Sequence, residues 1–356
     1  MTATQSDRDA AGDRTPQPDI GHGSTTIATI AHEVGVSVAT VSKVLNGRAD
    51  VAPATRAKVE EILERYRYRR PTRRQATGTE QIDLVFHELD AVWAIHIIAG
   101  VEAVTTAAGV GVRIGQLAGQ HHPPSTWLDG TLTRRPLGVV FVLCSPTQAQ
   151  QQGLRRQRIP FVVVDTDSAT SASVPTVGSN NWNGGMLATR HLIELGHRRL
   201  AVISGPEDVL CSRARVAGFR SAHDEAGIPV EPEFVRYAHF TATTGFAHGT
   251  ALLDRPDRPT AIFAGSDMQA VGVLRAARRL GLDVPGDLSV VGYDNVPVAA
   301  WIDPPLTTVN QPLGDMAGTA TRMVLDLARG VPPATSRIDL VTELVVREST
   351  GPAPGD

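Results

Sequence analysis

Residues 26–47 read Thr-Ile-Ala-Thr-Ile-Ala-His-Glu-Val-Gly-Val-Ser-Val-Ala-Thr-Val-Ser-Lys-Val-Leu-Asn-Gly, and this stretch decides how the N-terminal region folds. Its first half carries the apolar face of a short helix at the i, i+3, i+4, i+7 spacing, formed by Ile27, Ile30, Ala31 and Val34. Gly35 follows at the point where a helix end needs a residue that tolerates positive φ. The stretch therefore predicts two short helices joined by a tight turn.

The second helix is predicted to begin after Ser37, whose hydroxyl can accept a hydrogen bond from an otherwise unpaired backbone amide. Val41, Val44 and Leu45 are expected to face inward, and Gly47 ends the helix. The outer side is then small, polar or cationic: Val38, Ala39, Thr40, Ser42 and Lys43. Such a side suits the DNA major groove, which the second helix of a helix-turn-helix enters. An ordinary helical hairpin within a larger core is the alternative.

A third helix is predicted from Pro53, which suits a first helical turn, to about Tyr66. Its apolar stripe would close a small core against the first two helices and consists of Val59, Ile62, Leu63 and Tyr66. A boundary is expected after Arg70, because Pro71 and Gly78 interrupt a stretch without apolar periodicity.

The charge of this region differs from that of the remaining chain. From Ser24 to Ala76, ten cationic side chains stand against five acidic ones, although the whole chain has a net charge of −3. Six of the ten residues Arg65–Arg74 are arginine. Next to a helix-turn-helix, a basic block of this kind predicts contacts with DNA phosphates rather than a solvated linker.

Length and composition limit the other possibilities. The 356 residues exceed one typical domain. We find no apolar run long enough to span a membrane, and residues 1–23 lack the apolar core of a secretory signal, so we expect a disordered tail there. The two cysteines, Cys144 and Cys211, lie far apart, which predicts neither a disulfide framework nor a metal site and fits the cytoplasm. No cofactor is expected.

Beyond Ile82 the pattern changes to alternating strands and helices. Apolar runs occur at 82–86, 110–117, 139–144, 161–164, 200–204, 261–264, 288–292 and 340–347, and amphipathic segments separate most of them. This alternation predicts an α/β fold with parallel sheets covered by helices, and its length indicates two doubly wound subdomains.

In such sheets, ligands bind beyond the carboxyl ends of the strands. The residues that follow the apolar runs are polar, and they include Asp165, Ser266 and Asp294. Nucleotide-binding glycine loops, serine-hydrolase elbows and histidine metal motifs are absent from the sequence. Asp165 and Asp167 are a conceivable acid–base pair, but carboxylates at strand ends also bind sugar hydroxyls, so we expect binding rather than catalysis.

From Thr25 to Thr350 the chain resembles the LacI/GalR (lactose-repressor/galactose-repressor) family of transcription factors. Five segments carry the resemblance, in the family's order: Gly35–Asn46, Leu192–Arg199, Ser289–Asp294, Pro305–Thr308 and Leu344–Ser349. The resemblance implies a homodimer that binds pseudo-palindromic operator DNA, with a sugar-type effector held between two subdomains like those of periplasmic binding proteins.

The expected organisation follows from this resemblance. Residues 24–70 would form the helix-turn-helix domain, 71–80 a linker, 81–350 the effector-binding and dimerisation domain, and 351–356 a tail. Within the large domain, one subdomain would comprise about 81–178 and 309–333. The other would comprise about 179–308 and 334–350.

The resemblance also assigns residue roles. Val38 and Ala39 occupy the positions that usually read base edges, and Lys43 a basic position that reaches a base or a phosphate. The complete set of expected DNA contacts is Thr26, Ser37, Val38, Ala39, Thr40, Ser42, Lys43, Asn46, Arg70, Arg73 and Arg74. The expected effector ligands are Trp93, Asp165, Arg215, Ser266 and Asp294. A buried structural role remains open for Trp93, and a structural ion pair remains open for Arg215.

Two features depart from the family's pattern. The linker contains no leucine, whereas the family's hinge helix inserts one into the minor groove and kinks the operator. Either another residue replaces it, or the linker contacts only phosphates through its arginines. Cys211 stands where some members place a hydroxyl, so the effector preference does not carry over.

The sequence thus predicts a DNA-binding transcriptional regulator, a repressor controlled by a small sugar, and not an enzyme. A regulator that depends on a purine-type corepressor is the alternative within this class. A sugar-binding protein without a regulatory role is the alternative outside it.

Overall fold

A computed structural model of the chain describes residues 27–45, 51–66, 80–89, 92–165 and 174–355. It divides into two compact units, residues 1–76 and residues 77–356. Several predictions fall outside the described residues: the tail at 1–23, the linker apart from Glu80, the side chain of Leu45, the helix end at Gly47, Asp167, and the DNA-contact candidates Thr26, Asn46, Arg70, Arg73 and Arg74.

The smaller unit contains the three predicted helices, α1 (Ile27–Val34), α2 (Val38–Leu45) and α3 (Pro53–Arg65). They enclose a small core of buried apolar side chains: Ile30, Ala31, Val41, Val44, Val51, Val59 and Ile62. Gly35 adopts the predicted positive φ of 72° between α1 and α2. The prediction for Tyr66 is wrong, because α3 ends one residue earlier and leaves this side chain 43% exposed.

The larger unit contains two six-stranded sheets. The strands of the first sheet, numbered along the chain, are β1 (Gln81–Phe86), β2 (Gly111–Gln116), β3 (Gly138–Val142), β4 (Phe161–Val164), β5 (Thr176–Ser179) and β11 (Arg337–Leu340). Their order is β2-β1-β3-β4-β5-β11, and every pair is parallel. The central strands β3 and β4 are buried along their whole length, as strands covered by helices on both faces are.

The second sheet repeats this architecture. Its strands are β6 (Leu200–Ser204), β7 (Val235–Tyr237), β8 (Ala261–Ala264), β9 (Ser289–Asp294), β10 (Thr307–Asn310) and β12 (Glu343–Val345). Their order is β7-β6-β8-β9-β10-β12, and only the β10–β12 pair is antiparallel.

Helices cover both faces of each sheet: α4 (Ala94–Ala108), α5 (Ser125–Arg134), α6 (Gln148–Arg156), α7 (Asn181–Glu194), α8 (Leu210–Ala226), α9 (Ala242–Leu253), α10 (Asp267–Arg279), α11 (Val298–Trp301) and α12 (Leu313–Ala328). Helices α4 and α12 share one core with the first sheet, and α5 and α6 line its other face. Helices α9 and α10 cover one face of the second sheet, and α7 and α8 cover the other. None of the helices in the described ranges is long and apolar enough to cross a membrane.

The chain passes between the two sheets at three places: after β5, after β10 and between β11 and β12. The expected subdomain boundaries need correction here. Residues 309–310 still belong to the second sheet, and β11 adds Arg337–Leu340 to the first sheet rather than the second. The apolar run 340–347 concealed this crossover, because it spans the end of β11 and all of β12.

The predicted tail at 351–356 also needs correction. Gly351 is buried, and its carbonyl oxygen accepts hydrogen bonds from His197 and Ser289. The amide of Ala353 donates to the carbonyl of Leu195. Residues 351–353 therefore pack against the second subdomain.

Candidate functional site

The outer side of α2 presents the side chains that the sequence predicts for DNA contact. The amide of Thr40 donates a hydrogen bond of 3.1 Å to the hydroxyl of Ser37, so the predicted N-cap is confirmed. Val38 is 50% exposed, and Ala39 and Lys43 are exposed as well. Thr40 and Ser42 are half-buried. An exposed apolar side chain beside an exposed cation at the start of this helix is a surface that can enter a groove.

A second candidate site lies at the carboxyl ends of the two sheets, as the rule for parallel sheets predicts. Trp93, Asp165, Arg215 and Asp294 line one cavity there, with an empty volume of about 420 Å³ that includes space open to solvent. Asp165 follows β4 of the first sheet, whereas Asp294 ends β9 of the second sheet. The cavity therefore receives groups from both subdomains.

Arg215 is 3% exposed, and each nitrogen of its guanidinium donates to a protein acceptor. Nε donates to Oδ1 of Asn181 at 2.9 Å, Nη1 donates to the carbonyl oxygen of Gly265, and Nη2 donates to Oε1 of Gln311 at 2.9 Å. Its Cζ atom lies 3.6 Å from the centre of the Tyr293 ring. Among the described residues, no carboxylate lies within ion-pair distance of Arg215, so neutral acceptors and an aromatic ring hold this charge.

Gln311 links Arg215 to the opposite subdomain. Its amide nitrogen donates a hydrogen bond of 2.7 Å to Oδ2 of Asp165. Burial raises the pKa of Asp165, and the charge of Arg215 acts in the opposite direction. Because Gln311 lies in the crossover after β10, the chain Arg215–Gln311–Asp165 connects both sheets through one of the segments that join them.

Asp294 is the second carboxylate of the cavity and is 9% exposed. No described group donates a hydrogen bond to its side chain. Burial raises its pKa well above the usual 3.8, and the positive charge of Arg215 opposes this shift. Its φ of 108°, with a φ of 44° at Asp165, places both carboxylates on backbone that L-residues rarely adopt. Such strain concentrates at sites that hold a ligand.

Ser266 does not join the cavity, which corrects its predicted role. Its hydroxyl accepts a 3.1 Å hydrogen bond from the amide of Gln269 and thereby caps α10. The adjacent Asp267 accepts hydrogen bonds from the hydroxyl of Thr308 and the amide of Val296. Burial raises the pKa of Asp267 to about 7, although these hydrogen bonds lower it. Ser266 therefore caps α10 and Asp267 supports the loop after β9, and neither residue lines the cavity.

Aromatic side chains close the cavity from two directions. Trp93 comes from the first subdomain and packs against Phe86 in a tilted arrangement, with ring centres 6.1 Å apart. Phe240 follows β7 of the second subdomain, and the Cζ atom of Arg215 lies 5.5 Å from its ring centre. Both rings also line a second cavity, with an empty volume of about 830 Å³ that includes space open to solvent. Polar residues that line this second cavity include His87, Glu88, His121 and His239.

The sequence alone missed several residues that build this site: Asn181, Phe240, Tyr293 and Gln311. Gln311 and Phe240 were overlooked because they follow β10 and β7, two short strands without a clear apolar run. Tyr293 comes directly after the apolar run 288–292, and no sequence signal distinguishes a site role from a core role for it. Burial raises the pKa of the Cys211 thiol to about 11, so this side chain is neutral and lines the cavity as a small apolar group.

The arrangement can bind a polyhydroxylated or planar small molecule. Carboxylates accept hydrogen bonds, the guanidinium supplies fixed positive charge, and the aromatic faces pack on apolar surface. No nucleophile hydrogen-bonded to a base occurs in the described part of this cavity.

Comparisons with known proteins match parts of both units of the chain. Residues 26–71 match the family model described as bacterial regulatory proteins, lacI family, and residues 189–350 match a periplasmic binding protein-like domain. The HTH-type transcriptional regulator MalR of Streptomyces coelicolor is 37% identical over 344 residues, which cover 94% of this chain and 98% of that protein.

Solved structures show the same relationship. The transcriptional regulator CelR in complex with cellobiose superposes with a TM-score of 0.70 at 33% identity, covering 91% of this chain and 99% of that one. The lac repressor dimer bound to operator and the anti-inducer ONPF gives a TM-score of 0.67 at 26% identity, with coverages of 92% and 99%. The chain therefore belongs to the LacI family of bacterial regulatory proteins, which are DNA-binding transcriptional regulators and not enzymes.

Proposed function

We propose that this regulator is a repressor whose operator affinity is controlled by a small sugar bound in the cavity between the two sheets. The observation that carries the proposal is the convergence of Asp165 and Asp294, from opposite subdomains, on one cavity beside Arg215. A ligand that contacts both carboxylates contacts both subdomains. Its binding energy then depends on how the subdomains are arranged.

The chemistry of the cavity favours a sugar. Hydroxyl groups donate to carboxylates, and the Asp294 carboxylate receives no hydrogen bond from any described group. Trp93 and Phe240 offer apolar ring faces for the C–H side of a sugar ring. The bound cellobiose of the related CelR structure supports this class of ligand.

A purine-type corepressor is the second candidate. The same two aromatic rings, Trp93 and Phe240, suit a planar base as well as a sugar ring. A purine would turn its ring N–H groups toward Asp165 or Asp294, whereas a sugar engages both carboxylates with separate hydroxyls. A purine would therefore contact one of the two carboxylates, whereas a sugar would contact both.

For the DNA side we propose that α2 enters the major groove. Val38 and Ala39 have no hydrogen-bonding side chain, so they would contact thymine methyl groups or permit close approach. Lys43 would reach a base edge or a phosphate, and Ser37, Thr40 and Ser42 would contact the backbone. Thr26, Asn46, Arg70, Arg73 and Arg74 stay predictions for further contacts.

We further propose that the protein acts in the cytoplasm as a homodimer on a pseudo-palindromic operator. The related lac repressor dimer bound to its operator supports this assembly. A C₂ dimer presents two recognition helices to two half-sites, so a change in their spacing alters affinity. The ligand would shift the population between subdomain arrangements, and the three crossovers are the segments that must bend.

Calorimetric titration of sugars and purines into the wild-type protein and into Asp294→Asn tests the ligand assignment. A sugar that binds the wild type and loses about tenfold in affinity in Asp294→Asn would support the proposal, since the loss of one partner of a buried hydrogen bond costs roughly 1–3 kcal/mol. Exclusive binding of purines would favour the second candidate. Equal sugar affinity in both proteins would remove Asp294 from the site.

A further inference from the structure

Five exposed arginines gather at the amino-terminal edge of the first sheet: Arg134, Arg135, Arg155, Arg156 and Arg158. We call this set the arginine edge. None of these residues belongs to the helix-turn-helix or to the cavity between the sheets.

The topology brings the five residues together. All strands of the first sheet are parallel, so each helix that follows one strand returns to the edge where the next strand begins. Arg134 ends α5 and Arg135 follows it, just before β3, whereas Arg155 and Arg156 end α6 and Arg158 lies two residues later, just before β4. Nη2 of Arg135 lies 3.5 Å from Oε1 of Gln157, which joins the two groups.

Acidic residues are scarce in the segments that form the arginine edge. No Asp or Glu occurs between Asp129 and Asp165, although the larger unit as a whole contains more acidic than basic residues. Asp83, which is 2% exposed, pairs with Arg134 at 2.8 Å. Arg156 and Arg158 form no ion pair with any residue that the structure describes. The edge therefore presents a local positive field on an otherwise acidic unit.

The connection to the DNA-binding region enters at this same edge. Glu80 and Gln81 begin the first strand there, and the carbonyl of Gln81 accepts a 2.7 Å hydrogen bond from the amide of Leu137. Leu137 lies two residues after Arg135. The tether thus joins the larger unit beside the arginines. Residues 67–79 would span at most about 45 Å if fully extended, so DNA held by the helix-turn-helix stays at high local concentration near them.

We propose that the arginine edge contacts phosphates of the operator DNA and adds affinity that does not depend on sequence. The partner is a nucleic acid backbone rather than an acidic protein, because the chain that carries the DNA-binding region joins the larger unit at this edge. Guanidinium groups bind phosphate oxygens in a bidentate manner, and each neutralised phosphate releases condensed counterions. The larger unit would then take part directly in DNA binding, in addition to sensing the effector.

Two matched double variants test this proposal. Arg155→Gln/Arg156→Gln removes two cations from the last turn of α6, and Arg278→Gln/Arg279→Gln removes two exposed cations from the last turn of α10 in the second subdomain. Both pairs stand at a helix C-terminus, so their effects on helix stability are matched. Arg158→Gln lies outside α6 and serves as an independent variant if the double variant is unstable.

The measurement is the slope of log Kd against log salt concentration, for full-length protein and a duplex selected from a random-sequence pool by the wild type. The α6 variant should flatten the slope by about 0.9 for every phosphate that it no longer neutralises, whereas the α10 variant should match the wild type. Equal slopes for wild type, the α6 variant and Arg158→Gln would overturn the proposal. Retained DNA affinity with altered regulation would point to an acidic protein partner and would also overturn it.

Discussion

Nη2 of Arg215 donates a hydrogen bond of 2.9 Å to Oε1 of Gln311. This hydrogen bond fixes the Gln311 amide so that its nitrogen points at Asp165, 2.7 Å away. A residue of the second subdomain thereby positions a carboxylate of the first one. Arg215 consequently serves two purposes, since it supplies charge to the cavity and holds together the segment through which the chain crosses between sheets.

We expect Arg215→Ala to lower the free energy of unfolding of the larger unit by about 3–5 kcal/mol, because it leaves three buried acceptors, on Asn181, Gly265 and Gln311, without their donor, at about 1–3 kcal/mol each. Arg213→Ala, on the same helix but exposed, should change it by less than about 0.5 kcal/mol. Urea unfolding measures both values. Similar stability of the two variants would show that Arg215 has no such structural role.

The pH dependence of the free energy of unfolding should show that the pKa of Asp294 is raised in the folded protein. Its pKa is raised above the usual 3.8, so between these two values the folded protein keeps a proton that the unfolded chain has lost. Stability from this group is therefore present at low pH and declines as pH rises, by at most about 1.4 kcal/mol per pH unit. Asp294→Asn should remove this decline in urea unfolding as the pH rises from about 4.

Asp254→Asn, which alters an exposed carboxylate, is the control and should keep the wild-type pH dependence. Parallel curves for Asp294→Asn and the wild type would mean that Asp294 titrates at its ordinary pKa in the folded protein.

The two lysines of the chain provide a matched pair for the DNA-binding surface, since Lys43 lies on α2 and Lys58 on α3. Lys43→Ala should weaken operator binding by about 1–3 kcal/mol if the side chain reaches a base. If Lys43 contacts a phosphate, the loss should be uniform across sequences and the salt slope should fall by about 1. Fluorescence anisotropy measures both, and Lys58→Ala should bind as the wild type does. Equal affinities would remove Lys43 from the interface.

Trp301 is 79% exposed, an unusual state for the largest apolar side chain. A homodimer would bury such a residue, and aromatic anchors carry much of the energy of an interface. We expect Trp301→Ser to raise the dimer dissociation constant at least tenfold in sedimentation experiments. Trp182→Ser, which alters a tryptophan that is 45% exposed, should leave it unchanged. The opposite ranking would place the dimer interface elsewhere.

The sequence predicted the helical unit almost to the residue, because caps, turn and apolar spacing are local signals. Ser37 and Gly35 show this directly, since one caps α2 and the other adopts the positive φ that ends α1. Strands β4, β6 and β8 were equally clear, because continuous apolar runs define them. The predicted core position of Tyr66 is wrong because the apolar spacing continues past the end of the helix.

The site was only partly predictable, because its contacts join distant segments. Asp165 follows an apolar strand and Asp294 ends another, so the sequence marked both as candidate ligands. Gln311 follows Thr307–Asn310, whose polar residues conceal a strand. Asn181 and Arg215 lie on different helices, and no sequence spacing reveals the 2.9 Å hydrogen bond between them. Ser266 has the residue type of a ligand contact, yet its position before a helix makes it a cap.

The central claim is that a ligand in the cavity controls DNA affinity, and one measurement tests it most directly. Operator affinity is measured by anisotropy with and without a saturating sugar identified by calorimetry, for the wild type and for Trp93→Ala. The sugar should change wild-type affinity by about 5–150-fold, whereas Trp93→Ala should bind operator normally without sugar and respond at least tenfold less. An unchanged wild-type affinity with bound sugar, or an intact response in Trp93→Ala, would contradict the account.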